Sequence, residues 1–148
     1  MQGRQPQFRI DTANLVKAGT IPIIAAVIAG LIWISGINNP ISIVAIVTIM
    51  MIFAFAGYRY ANQILMSGRK SILVEVAING AILGIVISLV YGIVASICIS
   101  VATNGYYGVF NGLLGSGGLI LTGLVGAIAG AVSACGWYKY KSGMIETD

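Results

Sequence analysis

Four long apolar runs divide the chain, and short segments rich in Gly, Asn, Pro or charge separate them. The runs cover about residues 18–34, 41–58, 72–101 and 117–137. A transmembrane helix needs roughly 20 predominantly apolar residues, so each run is long enough to cross a bilayer. The pattern predicts an all-α integral membrane protein with four transmembrane helices.

The polar segments arrange these helices as two tandem hairpins. Residues 36–40 predict a tight reversal in which Asn39 caps the second helix and Pro40 takes its first position. We expect a polar N-terminal segment, a first hairpin, a cytoplasmic link, a second hairpin with its outer loop, and a C-terminal tail. Their ranges are 1–17, 18–62, 63–71, 72–142 with the loop at 102–117, and 143–148.

The third run is longer than a bilayer requires. Thirty helical residues at about 1.5 Å each measure about 45 Å, against a hydrocarbon core of roughly 30 Å. The third helix is therefore expected to tilt, to bend near Gly92 or to project beyond the membrane.

The fourth run is poor in large side chains. Helices in lipid associate through close backbone approach, which small residues at four-residue spacing permit. Two such ridges lie side by side on this run, and the first and third runs carry similar residues. The predicted helix-packing interface comprises Ala26, Gly30, Gly80, Gly84, Gly123, Gly126, Ala127, Gly130, Ala131 and Ala134.

Composition and charge agree with this class and indicate an orientation. The chain is 58% hydrophobic and 8% charged, far from the roughly 25% charged of soluble domains. The eight cations form no basic stripe of the kind that binds nucleic acid, so no nucleic-acid partner is expected. All eight fall on one side of a four-span chain, which places both termini in the cytoplasm, or in the interior of a virion membrane.

Aromatic and basic residues near the ends of the runs are expected to anchor the helices at the membrane interface. The Gly- and Asn-rich segment 102–116 matches no phosphate-binding motif, so it is interpreted as a loop with aromatic anchors. The predicted interfacial anchors are Trp33, Tyr58, Arg59, Tyr60, Tyr106, Tyr107, Trp137, Tyr138 and Lys139.

The sequence carries little reactive chemistry. It contains no His, and Glu75 is the only acidic residue within a run. Asn79 lies one helical turn from Glu75, and the two form the best candidate polar site, although a carboxylate paired with nearby cations explains Glu75 as well. Cys98 and Cys135 are predicted near opposite ends of their helices, too far apart for a disulfide. We expect no catalytic residue, metal or cofactor, and therefore no enzyme.

Residues 14–25 align with residues 75–86, and residues 58–62 align with residues 138–142, which suggests duplication of one hairpin. The glycine-rich hairpins resemble the duplicated proteolipid of rotary ATPases, but that family needs a mid-span carboxylate that spans two and four lack. In general plan, the chain also resembles the small hydrophobic hairpin coat proteins of spindle-shaped archaeal viruses. No specific motif carries this second resemblance. What it implies is a structural role in a virion.

Three functions fit the sequence. The first is a structural membrane protein, either a virion or envelope shell or a membrane scaffold, that self-associates through its Gly- and Ala-rich helix faces. The second is an accessory transmembrane subunit of a larger complex. The third is a small channel or transporter, which the scarcity of polar groups in the spans disfavours. The expected partners are the lipid bilayer and further copies of the chain, or a larger membrane assembly.

Overall fold

The computed structural model describes residues 10–32, 43–68, 71–102 and 118–145. It confirms an all-α fold: helices make up 94% of this part of the chain, which contains no strand. The four helices are α1 (Thr12–Ile32), α2 (Ile43–Met66), α3 (Leu73–Ala102) and α4 (Gly118–Ile145). The predicted reversal at 36–40 lies outside the described residues, as does all but the first residue of the predicted outer loop.

Local sequence signals explain where the helices begin and end. Asp11 caps α1, because its carboxylate accepts hydrogen bonds from the backbone and side chain of Asn14. This cap starts α1 before residue 18, inside the segment predicted to be a polar extension. The helix then continues through the buried Pro22. Gly68, with a φ of 66°, follows the C-terminus of α2 in the left-handed conformation that suits glycine.

The helices form a bundle in which α1 and α4 each contact both α2 and α3. Arg59 of α2 donates a hydrogen bond to the carbonyl oxygen of Lys17 near the start of α1, so α1 and α2 are antiparallel. Tyr138 near the end of α4 bonds to Ser71 just before α3, which makes that pair antiparallel too. The bundle therefore consists of two adjacent helical hairpins.

Equivalent helices of the proposed repeat are parallel neighbours. In α1, Gly19 lies against Leu83 of α3, and Gly30 lies against Val94 of the same helix. In α4, the hydroxyl of Ser133 donates to the carbonyl oxygen of Ala54 in α2. Duplication stays a prediction, but its two halves stand side by side with the same direction.

The core of the bundle holds both small and large side chains, and its outer surface is apolar. Ala18, Ala26, Ala56 and Ala134 are fully or almost fully buried, with relative exposures of 2% or less. Large apolar side chains instead cover the outer surface of all four helices, including Ile24, Ile28, Met50, Met51, Phe55, Ile93, Ile97, Leu124, Ile128 and Val132. The apolar outer surface differs from that of a water-soluble bundle, whose outward faces are polar.

Two helices in the described part of the chain are long and apolar enough to cross a membrane, Thr12–Ile32 and Leu73–Cys98. Only 28% and 33% of their apolar stretches are buried in the bundle. The rest of each stretch is half-buried or exposed on the outside of the bundle.

Candidate functional site

The closest helix contact joins α3 and α4 through facing glycines. A β-carbon on Gly80 would lie 2.6 Å from the β-carbon of Ala134 and from the carbonyl oxygen of Gly130. On the next turn, a β-carbon on Gly84 would overlap the carbonyl oxygen of Gly126. Two backbones this close exclude any side chain between them, so the contact depends on glycine from both helices.

The predicted packing residues divide into two groups in the structure. Gly80, Gly84, Gly126, Gly130 and Ala134 meet in the α3–α4 contact, while the buried Ala26 and Gly30 face into the bundle from α1. A second ridge, made of Gly123, Ala127 and Ala131, lies at the edge of this contact and is half-buried. A β-carbon on Gly123 would meet no atom of the described chain within 4 Å.

Two contributors to helix packing escaped the sequence analysis. Gly57 of α2 lies against α4, where its β-carbon would overlap the hydroxyl of Ser133 and lie 2.7 Å from the backbone nitrogen of Ala134. Ser88 of α3 extends the Gly80–Gly84 ridge by one turn and contacts Gly126. Their four-residue spacing with other small residues was the available signal, since Ser88 follows Gly84 at that interval.

The candidate polar site lies where α1 and α3 begin. Asn79 is completely buried and Glu75 is 6% exposed. The Asn79 amide donates to the carbonyl oxygen of Glu75 at 2.9 Å, and its own oxygen accepts from the backbone nitrogen of Asp11 at 3.2 Å. Asn79 therefore ties the start of α1 to α3, which is a structural role.

Aromatic rings and a cation form a cluster where α2 and α4 end, which we call the aromatic cluster: Tyr58, Trp137, Tyr140 and Lys141. The Tyr58 and Trp137 ring centroids are 5.1 Å apart, and those of Trp137 and Tyr140 are 5.9 Å apart. The Lys141 nitrogen lies 4.4 Å from the Tyr58 centroid and donates to Asn62 at 2.8 Å. Edge-on rings and a cation over a ring face are both favourable geometries.

The remaining predicted anchors have different environments. Tyr60 is completely buried, because it continues the inward stripe of Phe53, Ala56 and Ile64, so it cannot contact the lipid interface. Arg59 bonds to α1, Tyr138 bonds to the backbone of Ser71, and Lys139 is exposed. Trp33, Tyr106 and Tyr107 lie outside the described residues.

The described residues offer no assembled reactive site. None of them form a group of three His, Cys, Asp or Glu side chains that would hold a metal. Cys98 and Cys135 are both free, and Cys135 donates to the carbonyl oxygen of Leu73. The hydroxyl of Ser88 is buried without a hydrogen-bond partner in this part of the chain.

Comparison with known proteins gives no assignment. No protein-family model, no curated protein and no solved structure matches this chain. The general resemblance to hairpin coat proteins therefore stays a prediction, and the function has to be argued from the chain's own geometry.

Proposed function

We propose that this chain is a non-enzymatic structural protein that crosses a membrane four times and self-associates within it. The apolar outer surface of the bundle is the observation that carries the proposal. Large apolar side chains cover the outside of all four helices, whereas the polar residues Glu75, Asn79 and Ser88 are buried inside. In water that surface would drive aggregation, whereas in lipid it contacts acyl chains.

In this arrangement α2 and α4 cross the membrane, as α1 and α3 do. Residues 43–57 of α2 and residues 118–138 of α4 contain no charged side chain. Both helices also pack lengthwise against the two candidate spans, since α2 contacts α1 and α4 contacts α3. Helices that lie alongside a spanning helix share its depth, so a bilayer around α1 and α3 also surrounds α2 and α4.

Charge at one end of the bundle supports a common side for both termini. Lys17, Arg59, Lys139 and Lys141 lie at the same end of the bundle. Arg59 bonds to the backbone of Lys17, and Lys141 bonds to Asn62 of α2. These four are the cations of the described residues. By the positive-inside rule, that end faces the cytoplasm, or the interior of an enveloped particle.

The second small-residue ridge offers a surface for self-association. Gly80, Gly84, Gly126 and Gly130 pack against each other within one chain, whereas a β-carbon on Gly123 would meet no atom of the described residues within 4 Å. Ala127 and Ala131 continue the ridge on the same face of α4. Close approach of a second copy along this ridge would repeat the packing that joins α3 to α4.

The test is the association of labelled copies in lipid vesicles, measured by energy transfer at several protein-to-lipid ratios. A β-carbon at Gly123 meets no atom of the described chain within 4 Å, so Gly123→Leu should weaken association about tenfold through interference with a second copy. Gly92→Leu is the matched control, because Gly92 also faces open space.

Two results would contradict self-association. One is a parent protein that remains monomeric at every protein-to-lipid ratio. The other is stoichiometric recovery from native membranes with larger unrelated chains, which would identify an accessory subunit instead.

A further inference from the structure

An open groove runs along the outer surface of the bundle between α2 and α4. It has a volume of about 660 Å³, and its lining includes Met50, Phe53, Ala129, Val132, Gly136 and Trp137. The lining is mostly apolar, and Gly136 leaves part of it without a side chain. Such a groove fits an apolar chain better than a polar solute.

The length of the groove matches one leaflet of a bilayer. It extends along α4 from Ala129 to Tyr140, which at about 1.5 Å per residue is roughly 16 Å. Half of a hydrocarbon core of roughly 30 Å is about 15 Å. One end of the groove therefore lies near the membrane midplane when the aromatic cluster lies at the interface.

A cation lies close to the end of the groove that Trp137 and Tyr140 line. Trp137 and Tyr140 line the groove, and Lys141 lies over Tyr58, whose ring contacts Trp137. The described lining residues include no acid. An ammonium group beside an apolar groove complements a lipid whose head is anionic and whose tail is apolar.

We propose that this groove binds one anionic phospholipid of the cytoplasmic leaflet, with an acyl chain along α2 and α4 and the phosphate at Lys141. This inference rests on the proposed membrane function, because it needs the groove to lie in that leaflet. Trp137 forms the wall between the acyl chain and the headgroup. The lipid would cover apolar surface of a single chain, so it would also determine how a second copy can approach α2 and α4.

Trp137 provides a direct measurement. The chain has two tryptophans, so Trp33→Phe leaves Trp137 as the only indole. The protein is reconstituted into phosphatidylcholine vesicles that contain phosphatidylglycerol, with bromine on the acyl chains of one lipid or the other. Quenching of Trp137 then reports which lipid occupies the groove. We expect phosphatidylglycerol to be favoured about fivefold over its mole fraction, as one nearby cation implies.

Substitutions of Lys141 and Gly136 test the headgroup contact and the acyl-chain groove separately. Lys141→Gln should remove the preference for phosphatidylglycerol while both lipids still quench, whereas Lys17→Gln at the same end should keep the preference. Gly136→Leu adds a side chain to the groove, where its β-carbon meets no described atom within 4 Å, and should lower quenching by both lipids. Gly92→Leu should change neither.

Three outcomes would overturn the lipid site. Quenching in proportion to mole fraction for both lipids would show no selectivity. Quenching that falls as protein density rises would place a second copy in the groove. An unchanged preference for phosphatidylglycerol in Lys141→Gln would show that Lys141 does not determine the selectivity. Absence of quenching by either lipid would instead show that the chain is not inserted, and the proposed function would fail with it.

Discussion

Gly84 lies directly against Gly126, so that a β-carbon on Gly84 would overlap the Gly126 carbonyl oxygen. Gly84→Ala should therefore separate α3 from α4 and lower the free energy of unfolding by about 1–3 kcal/mol, as overpacking does. Denaturant unfolding in detergent micelles measures the change. Gly92→Ala on the same helix is the control, because its new methyl group meets no atom within 4 Å. Equal stability of the two variants would contradict the contact.

Asn79→Ala should weaken the attachment of the first turn of α1 to α3. The amide oxygen of Asn79 accepts from the backbone nitrogen of Asp11, and the substitution removes this partly buried hydrogen bond. A hydrogen bond within a protein contributes about 0.5–1.5 kcal/mol. Hydrogen exchange at residues 12–15 should accelerate, whereas Asn62→Ala, a half-buried position on α2, should leave exchange there unchanged. Unaltered exchange in Asn79→Ala would show that the bond does not hold α1.

Ser88 of α3 and Ser133 of α4 offer a matched pair of serines inside helices. The hydroxyl of Ser133 donates to the carbonyl oxygen of Ala54 at 3.1 Å, whereas that of Ser88 has no partner in the described chain. Ser133→Ala should cost about 0.6 kcal/mol, the average for a hydrogen bond between membrane helices. Ser88→Ala should be neutral or slightly stabilising in the same unfolding assay, because it removes an unsatisfied polar group. A larger loss for Ser88→Ala than for Ser133→Ala would show that Ser88 has a partner.

The sequence was sufficient for the helical class and for the small residues between α3 and α4. Long apolar runs predict helices by length alone, and glycine at four-residue spacing predicts close packing because few other residues allow it. Gly126 and Gly130 were found in this way. A helix that opens at Asp11 or Thr12 also follows from the sequence, because Asp and Thr are preferred N-caps. Its unbroken continuation into the first apolar run does not, since residues 12–17 are too polar to be counted as part of a span.

The orientation of each helix about its axis was beyond the sequence. A membrane helix is apolar on all sides, so polarity does not show which face is buried. Tyr60 was therefore expected at the interface, although it lies inside the bundle while Tyr58, two residues earlier, lies in the aromatic cluster. The groove between α2 and α4 depends on the pairing of residues such as Ala54 and Ser133 from different hairpins, which no local pattern encodes.

The most direct test of the account is the side of the membrane that each connection reaches. Single cysteines are placed by Asn38→Cys, Ser67→Cys, Asn111→Cys and Ser142→Cys in a background without Cys98 and Cys135, and intact cells or oriented vesicles are treated with a membrane-impermeant maleimide. Four spans predict labelling of positions 38 and 111 from outside only, and of positions 67 and 142 from the cytoplasmic side only. Labelling of all four positions from one side, or of positions 67 and 142 from opposite sides, would contradict the four-span bundle.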